Sequence, residues 1–117
     1  MKPKIYASLI IFTVLAQQVD AKEKRCGWLD NPTPSNFWLK DKNGSWLISE
    51  QGGFFAEGDV PDMDISQFVV LNGGSYGYGC ICLTVTTDKK KKRILKIFDS
   101  KQLPLKTCLE DLSLPRP

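Results

Sequence analysis

The sequence predicts a small, mainly β domain: about five antiparallel strands in a twisted sheet or partly open barrel, with a short C-terminal helix and two disulfides. Three observations carry that reading. Alternating apolar and polar residues recur between clusters of Gly, Asn and Pro, the pattern of short strands joined by turns. One apolar stripe with helical spacing lies near the C-terminus. The four cysteines, Cys26, Cys80, Cys82 and Cys108, all follow an apolar N-terminal run, which reads as an export signal ahead of an oxidised domain.

Lys2 and Lys4 precede that run, which covers residues 6–16 and is shorter than the roughly 20 residues a membrane span requires. It leads to Val19-Asp20-Ala21, with small or short residues where a signal peptidase cuts. Residues 1–21 are therefore read as a signal peptide cleaved after Ala21, and residues 22–117 as one domain. The expected location is the periplasm or the extracellular space, with no stable membrane anchor after cleavage. A domain of this size buries only about 60–65% of its unfolded surface, so disulfides worth typically about 2–4 kcal/mol each support it.

Along the mature chain, residues 22–36 carry Asp30-Asn31-Pro32-Thr33-Pro34-Ser35, whose prolines fix φ and remove donors; they predict an extended arm anchored by Trp28. Residues 36–41 and 45–50 flank Lys42-Asn43-Gly44, and Asn-Gly is the strongest short hairpin signal. In the second strand Trp46 and Ile48 share a face. Residues 51–66 hold three glycines, a proline and the acids Glu57, Asp59, Asp62 and Asp64, which read as a surface loop. Residues 67–71 form a short buried strand, and 76–86 the longest one. On it Tyr76, Tyr78, Cys80, Cys82 and Thr84 point one way, while Gly77, Gly79, Ile81, Leu83 and Val85 point the other. Packable groups on both faces place it centrally. Residues 93–98 pair back across the turn at 88–92. Pro104 opens a helix on which Leu105, Cys108, Leu109 and Leu112 make one stripe.

Cys80 and Cys82 leave the same face of a strand and cannot easily bond each other. Cys26 and Cys108 are each expected to take one of them, in an unspecified order. A sharper reading makes Cys80 and Cys82 a soft-metal or thiol-exchange pair, but the chain has no histidine and only two methionines, one of them the initiator.

The missing histidine excludes Ser-His-Asp and Cys-His machinery and the usual neutral-pH acid/base. A two-carboxylate glycosidase needs a deep cleft that a chain this short seldom builds, so no catalytic residue is assigned. The acids at 57–64 lack the spacing of a calcium loop, and no metal or other cofactor is implied. Formal charge is only +3 over the whole chain, which argues against nucleic acid and against an anionic membrane, both of which require a concentrated basic face. The basic run 89–93 reads as a solvated turn. Asn43-Gly44-Ser45 fits the glycosylation pattern, but it sits in a tight turn of a chain read as bacterial. Trp28, Trp38, Trp46, Tyr76 and Tyr78 are the candidate partner surface, since aromatic residues anchor interfaces as well as cores.

The string from Cys26-Gly27-Trp28-Leu29 through Phe37-Trp38-Leu39, with residues 41–46 and Tyr76-Gly77-Tyr78-Gly79-Cys80-Ile81-Cys82, resembles a bacterial family of small exported proteins, domain of unknown function 4087. The resemblance continues to Leu103-Pro104-Leu105 and Cys108. It implies a bacterial exported protein, periplasmic in a Gram-negative cell, and brings no activity or ligand residues. The functional expectation is non-enzymatic binding to another envelope protein or a cell-wall component, with inhibition of an envelope enzyme as one concrete form. The alternatives are metal or thiol handling through Cys80 and Cys82, and a small hydrolase.

Overall fold

The computed structural model describes residues 21–74 and 76–117 together with Pro3. The rest of the signal peptide expected at 1–21 lies outside the described residues. Six strands, β1 (Glu23–Thr33), β2 (Asn36–Asp41), β3 (Gly44–Ser49), β4 (Phe68–Asn72), β5 (Tyr76–Asp88) and β6 (Arg93–Leu103), are followed by one short helix, α1 (Leu105–Leu109). The sheet order is β1-β2-β3-β6-β5-β4, and β1 also pairs with β5, so five of the strands close into a ring. Most neighbours are antiparallel, but β3 and β6 meet in parallel at Leu47 and Arg93. A meander, a crossover and one parallel closure give the connectivity of five-stranded Greek-key barrels that bind oligonucleotides and oligosaccharides, a likeness that carries no function by itself.

Three expectations change here. The strand expected to be buried at 67–71 is β4, which lies at the sheet edge with Val70 and Leu71 exposed. The arm at 22–36 is the strand β1, which pairs with β2 on one edge and with β5 from Glu23 to Asn31 on the other. Its prolines fall at the end, beside the irregularity between Asp30 and Thr33, where a lost ladder donor costs little. The helix spans only Leu105–Leu109, and Leu109 and Leu112 are exposed. The stripe at 105–112 therefore does not face a core as a unit.

β5 is central, as its two packable faces predict. Inward, Ile81, Leu83 and Val85 join Leu29, Leu39 and Trp46 in the ring's core. Outward, Cys80 packs with Trp28 and Cys108 in a second core flanked by Tyr78, Leu103 and Leu114. The disulfides join Cys26 to Cys82 and Cys80 to Cys108. The first staples β1 to its ladder partner on β5; the second pins α1 over Trp28. Gly77 is required where β4 crosses β5, because a Cβ there would collide with the Val69 carbonyl.

The parallel contact is short, and beyond it the segment 54–57 fills the widening gap. Ala56 N–H donates to Ile48 O at 2.8 Å, Glu57 N–H to Leu95 O at 2.9 Å, and Ile97 N–H to Glu57 O at 2.8 Å. Part of the loop at 51–66 thus completes the ring, and only its remainder is displayed.

Candidate functional site

The ring has two chemically opposite ends. At the first lie the start of β1, the β2–β3 turn and the β5–β6 turn. Arg25 on β1 donates from Nη1 to Asp41 Oδ2 at 2.8 Å and from Nη2 to Glu23 Oε2 at 3.0 Å. Asp41, 3% exposed, also accepts the Trp46 indole N–H at 3.0 Å and the Asn43 amide at 2.8 Å. Arg25 and Lys92 both stand over the Trp46 ring, 4.0 and 4.4 Å from its centroid, within cation–π range. Thr87 donates its hydroxyl to Glu23.

Burial pulls the Glu23 carboxyl upward, but the Thr87 hydroxyl and the Arg25 guanidinium outweigh it and hold the group below the usual glutamate value. For Arg25, burial acts to lower the value while Asp41 and Glu23 raise it, and the pair wins. These side chains spend their hydrogen bonds on each other, although Arg25 Nε is buried without an acceptor. The network spans the barrel end, and its one hydroxyl, that of Thr87, is bonded to the Glu23 carboxylate.

At the second end a groove of about 410 Å³ opens between β1, β2 and the loop ahead of β4, lined by Leu29, Phe37, Met63 and Phe68 with Asn31 and Asp62 among them. The loop is held in place: Asp64 N–H donates to Gln102 Oε1 at 2.6 Å, and Gln102 Nε2 donates back to Asp64 O and Gln67 O at 3.1 and 3.2 Å. The Ser66 amide and hydroxyl lower the exposed Asp64 carboxyl. Asp62 is the acid in the groove lining, Asp59 and Asp64 flank it along the loop, and no Lys or Arg occurs from 50 to 67; Ile65, also in the lining, is 67% exposed.

Of the five aromatic residues expected on a partner surface, Trp28 and Trp46 are interior, each 1% exposed. Trp28 is sealed by the C-terminal tail, donating its indole N–H to Pro115 O at 3.1 Å and meeting Tyr78 edge-on. Trp38, Tyr76 and Tyr78 are half-buried; Trp38 sits opposite Leu47, between β2 and β3. The structure does not gather the five into one face. The groove residues Phe37, Met63, Ile65 and Phe68 were missed, although Val60, Met63 and Ile65 among four acids signal a loop with something to bury. Among the described residues, no three His, Cys, Asp or Glu side chains come together as a metal would require.

The fold is a small disulfide-stapled β-ring with a polar network at one end and an apolar groove at the other. The chain belongs to the family described as protein of unknown function DUF4087, whose model matches residues 20–115. No curated protein and no solved structure matches it.

Proposed function

We propose that the chain is an exported, non-enzymatic binding protein of the bacterial envelope, and that the acid-rimmed groove takes an extended segment of another envelope protein. The observation that carries this reading is the groove itself: apolar walls on a stapled ring, with Asp62 and no Lys or Arg among the residues that line it. Such a site suits an apolar side chain flanked by Lys or Arg. Two disulfides are consistent with an oxidising compartment. An envelope enzyme held in this way is the inhibitor form of the same proposal.

Thiol or metal handling by Cys80 and Cys82 together is disfavoured because the two sulfurs are tied to different partners and Cys80 is fully buried. A hydrolase is disfavoured because the acids Glu23 and Asp41 at the first end are paired with Arg25.

The test places a photo-crosslinking side chain at Ile65 or at Leu112, which is 97% exposed and away from the groove, in cells that express the protein. The expected result is one defined adduct from position 65 and none from 112, reduced at least fivefold by combining Asp59→Asn, Asp62→Asn and Asp64→Asn. Equal adducts from both positions, or an adduct indifferent to the three acids, would sink the groove reading. Recovery of the protein from the cytoplasm with residues 1–21 intact would sink export.

A further inference from the structure

The sequence's small net charge conceals a separation that the fold creates. Lys22 and Lys24 at the start of β1, Lys42 in the β2–β3 turn and the four lysines at 89–92 in the β5–β6 turn all belong to the first end of the ring, and all seven are exposed. The contacts that bring these turns together are explicit. Arg25 Nη1 and Lys92 Nζ donate to Asn43 Oδ1 and O at 3.2 and 3.1 Å, and Ala21 and Lys22 share a surface hollow with Lys89 and Lys90.

Four acids lie at this end, Glu23, Asp41, Asp88 and Asp111, against eight cations, the seven lysines and Arg25, so a net positive charge remains. Glu23 and Asp41 are committed to Arg25. Asp88 accepts the amides of Lys90 and Lys91. Asp111 is engaged by Ser113 and faces Lys42. At the opposite end, the loop at 51–66 carries Glu57, Asp59, Asp62 and Asp64 and no Lys or Arg.

We propose that this basic end docks on an anionic lipid bilayer, contacting phosphate headgroups without inserting. Two turns and the start of β1 present the charges as a blunt tip rather than a channel, which fits a plane of phosphates better than a threaded polymer. Clusters of lysine next to a bilayer are attracted to anionic lipid over about a Debye length, so the contact is reversible and sensitive to salt. Docked this way, the acid-rimmed groove faces away from the membrane.

The experiment is co-sedimentation of the purified protein with vesicles of phosphatidylglycerol and phosphatidylcholine, against pure phosphatidylcholine. Wild type and variants come from the same host and share an N-terminus read by intact mass, so any contribution of residues 1–20 cancels. Expected are binding to the anionic vesicles that disappears between 50 and 300 mM salt and falls at least tenfold in K89Q/K90Q/K91Q, retention in K89R/K90R/K91R, and no change in Lys106→Gln. Intact disulfides and an unchanged melting temperature exclude misfolding of the variants. Equal binding to neutral vesicles, an unaffected glutamine variant, or binding to polyphosphate or single-stranded DNA with none to anionic vesicles would overturn the proposal.

Discussion

Asp41 and Glu23 show why a few charges can be structural at the mouth of a barrel. Each holds Arg25, and the buried Asp41 also satisfies an indole and an amide, so apart from Arg25 Nε the side-chain donors that close this end are paired. Glu23 makes the arrangement dependent on pH. Its folded value lies below the ordinary 4.5, so the unfolded chain takes up the proton first as pH falls. The associated stability is present above 4.5 and is lost as pH drops through the folded value. Urea unfolding from pH 7 to pH 3 should show this loss in the wild type and a flatter profile in Glu23→Gln, which costs about 1 kcal/mol at pH 7 because the ion pair is partly exposed. Equal slopes would remove the carboxylate from the account. His-free sequence logic excluded triads here, but nothing local in Arg25, Asp41 or Trp46 announces that they meet; their network exists only once β1 lies beside β2.

α1 is too short to persist alone, and its place depends on Cys80–Cys108 and on the tail that reaches Trp28. Replacing both cysteines by alanine removes a constraint across 28 residues, worth about 3.5 kcal/mol in the chain-entropy picture. Hydrogen exchange should then lose protection at 105–114 first while the ring's inner core stays protected; protection lost everywhere at once would show that the two cores are one unit. Most of the sheet was legible because its signals are local: the Lys42–Gly44 turn, the alternation of β3, and the glycine-spaced face of β5. Strand geometry disfavoured a Cys80–Cys82 bond and left two pairings open; the structure joins Cys26 to Cys82 and Cys80 to Cys108. β1 was misread because Pro32 and Pro34 dominate a window whose first half, Cys26 to Leu29, is ordinary strand. The parallel β3–β6 contact has no local signal, since it joins residues nearly fifty positions apart. The groove was hidden for the same reason: Leu29, Phe37 and Phe68 belong to three different elements.

At the scale of the whole molecule, the separated charges make a dipolar particle. Basic and acidic ends on one body attract the opposite ends of other copies, and a head-to-tail contact of this kind does not close on itself. Light scattering should therefore rise with protein concentration at about 10 mM salt and return to the monomer value near 0.15 M, where the screening length is about 8 Å; scattering indifferent to salt would contradict the charge separation. The pairing of β1 with β5 acts in another dimension, that of time. Cys26 meets its ladder partner 56 positions later, so no part of the ring can close until the chain has been made past Val85, and Trp28 stays uncovered until Pro115 arrives. A nascent chain of this protein is thus an open polymer for nearly its whole synthesis, still able to pass through a narrow opening, and becomes a solid body only when its end is delivered.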